Sequence, residues 1–223
     1  MSLRALSLLE GRVLGVLIEK AHTVPDSYPL SLNSLTLGCN QKTAREPVLA
    51  ATEAEVQSAV DALKLLHLAF EASGSRVTRY EHNLGRTLGL PSQSVALLAT
   101  LLLRGAQTVS ELRVGSDRLH RFADASSVEA FLDELQQRPA DKGGPLVARL
   151  ARAPGSREAR WAQLLTGAVD VAVLAGAVEP EDFVASTELA ALKFQQAAMQ
   201  AELAELRRLV ERLYADLGIA RAA

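Results

Sequence analysis

Two arginine motifs, 81 residues apart, carry the chemistry that most needs explaining in this chain. Gly74-Ser75-Arg76-Val77-Thr78-Arg79-Tyr80 and Gly155-Ser156-Arg157-Glu158-Ala159-Arg160-Trp161 share a G-S-R-x-x-R-aromatic pattern. A guanidinium offers a rigid fork of N–H donors that suits phosphate oxygens and narrow minor grooves. Arg149 and Arg152 precede the second motif, so that stretch holds four arginines against one acid, Glu158. The same groups on a solvated hairpin would serve equally as edge charges that deter aggregation. Both readings stay open from sequence.

A second candidate is Asn40-Gln41-Lys42-Thr43-Ala44-Arg45-Glu46-Pro47, the densest run of hydrogen-bonding side chains in the chain. It reads either as a binding patch for phosphate or a partner peptide, or as a loop tied down by its own side chains. Other chemistry is thinly represented. His22, His67, His82 and His120 lie far apart without Cys/His ligand spacing, so no metal is expected. No glycine-rich phosphate loop and no nucleophile–base set stands out, so neither catalysis nor a cofactor is expected.

The elements that must position these residues repeat in order. Leu9, Val13, Leu14, Leu17, Ile18 and Ala21 recur at helical spacing. Pro25 and Pro29 interrupt, a short helix follows around 31–37, and Thr52 with Glu55 forms a capping box for a third helix. Val56, Ala59, Val60, Leu63 and Leu66 form the core face of that helix, and strands are expected at 68–71 and 77–81. The second round runs through Val95, Leu98, Ala99, Leu102 and Leu103, then the Thr108/Glu111 box, then Val128, Phe131, Leu132 and Leu135 capped by Asp124 or Ser126. Strands at 146–150 and 159–164 close it. Alternation within each hairpin turns Tyr80 and Trp161 inward and Arg79 and Arg160 outward. The expected fold is therefore mainly α with short β-hairpins: two tandem winged-helix (winged helix-turn-helix) domains at 1–86 and 87–166, joined through 83–91.

Beyond a linker at 167–186, Leu189, Leu192, Gln196, Met199, Leu203, Leu206, Val210, Leu213 and Leu217 alternate spacings of three and four. Those are heptad a and d positions. The heptad helix at 187–218 predicts a parallel homodimer in which g and e residues pair compatibly; a single amphipathic helix docked on its own chain fits the same spacing.

Charge separates the segments. Residues 1–86 carry 9 basic and 9 acidic groups, residues 87–166 carry 10 and 8, and residues 167–223 carry 5 and 9, giving 0, +2 and −4. Carboxylates dominate the outward positions of both third helices, Glu53, Glu55 and Asp61 in one and Glu129, Asp133 and Glu134 in the other. Acids in a groove oppose phosphate attraction, so base readout by those helices is disfavoured. The chain has no signal-peptide pattern and no long apolar run, and its lone Cys39 suits a reducing compartment, so a cytoplasmic, non-membrane protein is expected.

Four stretches together resemble the bacterial YceH family: L-S-L-L-E-G-R-V-L-G-V-L-I-E-K from Leu6, Y-P-L-S-L-N from Tyr28, C-N-Q-K-T-A-R-E-P-V from Cys39 and L-L-L-R-G-A-Q-T from Leu101. The resemblance covers about residues 3–166 and an equivalent C-terminal segment, and it implies tandem winged helices. The C-N-Q-K-T-x-R-E-P block is the family's hallmark, so the resemblance marks Asn40, Gln41, Lys42, Thr43, Arg45 and Glu46 as a shared site. Two functions remain. One is double-stranded DNA binding, with transcriptional regulation as the usual role of such modules, through Arg76, Arg79, Arg152, Arg157 and Arg160. The other is a protein-interaction adaptor for an unidentified partner. Dimerisation in either case would use Leu189, Leu192, Met199, Leu203, Leu206, Val210 and Leu213.

Overall fold

The computed structural model describes residues 3–72, 77–152 and 158–167. The heptad segment, with Leu189, Leu192, Met199, Leu203, Leu206, Val210 and Leu213, lies outside the described residues, as do Arg76 and Arg157.

Seven α-helices, two single-turn 3-10 helices and five short strands make a mainly helical fold with two small antiparallel sheets among these residues. In chain order the α-helices and strands are α1 (Leu8–Thr23), β1 (Leu30–Ser31), α2 (Leu32–Cys39), α3 (Glu53–Leu65), β2 (Ala69–Ala72), β3 (Arg79–His82), α4 (Leu84–Leu88), α5 (Ser92–Arg104), α6 (Val109–Gly115), α7 (Ala125–Gln136), β4 (Val147–Arg149) and β5 (Trp161–Gln163). Local chemistry sets the starts. Ser7/Glu10, Thr52/Glu55, Thr108/Glu111 and Asp124/Ser127 each form reciprocal capping boxes, and Ser31 caps α2 through the Ser34 amide. Each box satisfies amides that the first helical turn leaves without partners.

The expected order of helix, short helix, helix and hairpin occurs twice, and equivalent residues do equivalent work. Leu35 and Leu112 are fully buried at the same point after their caps, and Val56, Val60 and Leu63 are matched by Val128, Leu132 and Leu135. Tyr80 and Trp161 are buried as the alternation predicts. One addition escaped the sequence: Leu30 and Ser31 pair with Tyr80 and Arg79 as a third strand, and Gln107 bridges Trp161 in the same way. The joining stretch at 83–91 carries the one-turn α4.

One continuous core runs through both rounds of elements. Its centre is the packing of α1 on α5, permitted by glycines one turn apart. A Cβ on Gly15 would lie 2.9 Å from Leu103 Cγ, and one on Gly11 3.1 Å from Leu102 Cδ2. The N-terminal segment closes onto the end of β5's strand through Leu6 N–H to Leu165 O, 2.8 Å. Among the described residues no helix is long and apolar enough to cross a membrane.

The short second helices approach the first helices through a matched glycine. A Cβ at Gly38 would fall 2.6 Å from Val16 Cγ1, whereas one at Gly115 would fall 3.1 Å from Thr100 Cγ2. Gly38→Ala should therefore cost about 1–3 kcal/mol through overpacking. Gly115→Ala should cost less, because a small adjustment of Thr100 accommodates the methyl. Urea unfolding of the two variants tests this order, and a Gly38→Ala protein as stable as the wild type would refute the close approach.

Candidate functional site

The polar connection between α2 and α3 folds back on the body of the protein. Asn40 holds the far end of the loop, with its Nδ2 donating to Ala51 O and its Oδ1 accepting from Ala51 N–H, both at 2.8 Å. Arg45 turns inward, its side chain wholly buried, and forks onto the Glu19 carboxylate at 3.1 and 2.6 Å. The same guanidinium donates to Gly38 O, Ala44 O and Gln41 Oε1. These bonds hold Ala44 at φ 56°, a left-handed conformation that a non-glycine residue adopts only when its surroundings impose it. Gln41 is half-exposed and donates to Thr43 Oγ1, while Lys42 and Thr43 face solvent. Glu46 contributes through its backbone, where N–H to Leu103 O at 2.7 Å fastens the loop to the end of α5.

A second buried guanidinium lies beneath this loop. Arg12 is 1% exposed and donates to Cys39 O at 3.1 Å and Pro47 O at 2.5 Å; among the described residues no carboxylate lies within ion-pair distance and its Nε finds no partner. Burial, aided by the neighbouring Arg45 charge, pushes it down to about 10, so it stays charged at neutral pH. Burial alone would raise Glu19, but the hydrogen bonds and charge of Arg45, with help from Lys20, hold it below the usual carboxylate range. The segment expected as a shared binding site is thus tied down through Asn40 and Arg45, and its polar side chains facing solvent are Lys42 and Thr43 with parts of Gln41 and Glu46.

The repeated arginine of the hairpins has a matched structural use. Arg79 Nη1 donates to Pro29 O at 2.7 Å and to Ser27 O at 3.3 Å. Arg160 Nη1 donates to Ala106 O at 2.8 Å, with Nη2 3.4 Å from Glu111. In both rounds the guanidinium braces the chain just before the second helix. Each aromatic neighbour, Tyr80 or Trp161, pairs with the same stretch.

Arg149 and Arg152 stand apart from this pattern. They edge a groove of about 260 Å³ between the beginnings of α6 and α7 and the second hairpin, lined also by Ser110, Trp161 and two carboxylates, Glu129 and Glu158. Arg149 lies 5.8 Å over the Trp161 ring and 3.8 Å from Glu129, both partners half-exposed, so the ion pair is weak. Arg152 is exposed. The strand position occupied by Arg149 opposite Trp161 is held by Glu71 opposite Tyr80 in the first hairpin, where Lys64 of α3 pairs with it. One surface absent from the sequence expectations is the arginine series 104, 113, 118 and 121. All four side chains are exposed on and around α6. Their clustering within 18 residues was the available signal.

Removing one member of the buried pair strands the other charge, so Arg45→Ala should lose about 3–5 kcal/mol. The pH dependence follows from the lowered Glu19. Its stabilisation is complete above the unfolded-state carboxylate value and disappears as pH falls through the folded-state value. Glu19→Gln should therefore be less stable at neutral pH and flatter on the acid side. Urea midpoints across that range test it; an unchanged acid slope in the variant would count against the pair.

Comparison with known proteins places this architecture in a family. Residues 6–156 match the family described as "Protein of unknown function, DUF480". A UPF0502 protein of Paraburkholderia phytofirmans is 61% identical over 218 residues, 98% of this chain and 92% of the relative. Another from Methylibium petroleiphilum is 63% identical over 203 residues, covering 91% of this chain and 85% of the relative, and one from Leptothrix cholodnii is 58% identical with 97% of each chain covered. The expected YceH resemblance and these matches are one and the same group: the chain belongs to the DUF480 family, that of the UPF0502 proteins.

Proposed function

We propose that this protein is a non-enzymatic tandem winged-helix protein that binds double-stranded DNA through its second winged helix. The observation that carries the reading is the groove beside the second hairpin, where Arg149 and Arg152 border the starts of α6 and α7. In winged-helix proteins a hairpin and the third helix flank the DNA, and arginine is well suited to phosphate oxygens. The first round does not repeat this chemistry. It carries Glu71, paired with Lys64, at the position of Arg149. One DNA-binding face per chain follows. Arg79 and Arg160, engaged with backbone carbonyls, serve as braces in this reading, and Arg149 joins Arg152 as a phosphate contact. Transcriptional regulation would be the usual role of such a module, by analogy of fold alone. Dimerisation through the heptad segment would set two such faces in one particle.

A protein-adaptor role is the alternative. It is favoured by Leu37 and Val114, which stand at equivalent places one residue before the matched glycines and are 68% and 74% exposed. Large aliphatic residues left in solvent at the same point of both rounds suit a partner surface.

The experiment is a salt titration of binding to a mixed-sequence duplex of about 30 base pairs, long enough for several phosphate contacts. Wild type should weaken steeply with salt, and Arg149→Ala/Arg152→Ala should lose up to about 2 from the slope of log affinity against log salt. Arg160→Ala should lower the melting temperature and leave that slope nearly unchanged. Absence of salt-dependent binding by the wild type would exclude the DNA reading and leave the adaptor.

A further inference from the structure

The arginines at 104, 113, 118 and 121 are all exposed within 18 residues of chain on and around α6, and the hairpin does not account for them. Along α6, Arg113 lies three and four residues beyond Ser110 and Val109, both of which line the groove, so the three share a helix face. Arg113 also stands close to the start of α7. The Asp124 carboxylate there is held below its usual range chiefly by the Ser127 amide, and the Arg113 charge contributes. Arg104 reaches the other end of α6, its Nη1 3.5 Å from where a Cβ on Gly115 would lie. Arg118 and Arg121 follow in the turn between α6 and α7, and both are exposed.

Among the described residues the carboxylates nearest in the chain are Glu111, Asp117 and Asp124, while Glu129 and Glu158 line the adjoining groove. Glu111 is occupied by the capping box at Thr108 and by Arg160. Asp124 caps α7. Asp117 meets Arg121 at 4.0 Å with side chains 63% and 89% exposed, a separation and exposure that leave both largely to solvent. Among the described residues no ion pair within 4 Å engages Arg104, Arg113 or Arg118. The first round offers no counterpart. The residues equivalent to Arg113 and Arg118 are Thr36, which is buried and bonded to Leu32 O, and Gln41, which serves Arg45. The basic surface belongs to the second round alone, on the helix that borders the groove.

We infer that Arg113, Arg118 and Arg121 form a second phosphate-binding arm, continuing the line of Arg152 and Arg149 along α6 and the turn after it, for the backbone of duplex DNA. This rests on the reading that the second winged helix binds DNA. The arm holds the backbone without reading bases, so its affinity is independent of sequence.

The test uses the full chain and the same duplex titration, with Arg113→Ala/Arg118→Ala/Arg121→Ala and the matched triple lysine variant. All three side chains are exposed, and circular dichroism with a melting curve verifies the fold. The alanine triple should lose up to about 3 from the salt slope, at about 0.9 per phosphate, equally on unrelated sequences. The lysine triple should keep most of the slope. If the alanine triple matches wild type while Arg149→Ala/Arg152→Ala loses slope, the arm is refuted and the hairpin reading stands. If the triple loses slope and the hairpin variant does not, the arm stands without the hairpin contacts. A wild type that binds no duplex at low salt ends both.

Discussion

Two guanidinium groups buried beneath the loop from Cys39 to Pro47 hold the rest of the structure in register. Taking a charge out of water is costly unless its hydrogen bonds are replaced. Arg45 meets that requirement with Glu19 and several carbonyls, whereas the partners of Arg12 among the described residues are carbonyls. What these groups secure is the path of the chain. The carbonyls of Gly38, Cys39 and Pro47 lie where helix bonding cannot reach them, and without the arginines they would be buried and unpaired. The same loop delivers the Glu46 amide to the end of α5, so the order of the loop and the seating of α1 on α5 are one problem.

Much of the fold was legible in the sequence because its determinants are local. Capping boxes span four residues and helix faces repeat within a turn, so the starts of α3 and α6 and the core faces of α3 and α7 could be read directly. The candidate site was less legible because its partners are distant in sequence. Nothing near Arg79 announces that its acceptor is Pro29 O, 50 residues earlier, or that Arg160 will find Ala106 O, 54 residues earlier. The polar loop posed the same difficulty. Arg45 reads equally as a ligand or as a tie until Glu19, 26 residues away, is seen beside it. The arginines around α6 were visible individually. Their significance required knowing that α6 borders the hairpin groove and that the equivalent first-round positions are neutral.

The repeat also shows which residues a shared scaffold fixes and which it leaves open. Capping residues, the aromatic of the hairpin, its bracing arginine and the glycine of the second helix perform the same task twice. Solvent-facing positions do not. Where one sheet offers a carboxylate to a lysine of the helix behind it, the other offers a guanidinium to a glutamate. The attraction between sheet and helix survives with its polarity reversed.

Cys39 sits at the end of α2 with no accessible surface, and burial pushes its thiol up to about 12. A protonated, enclosed sulfur reacts poorly with alkylating reagents, which attack the thiolate. It is also the single cysteine of the chain, and Arg12 is bonded to its own carbonyl. Its modification therefore requires the clasp between α2 and the loop to open. The molecule carries an intrinsic chemical clock for that opening, and its labelling kinetics measure how often the native state breathes at this one place.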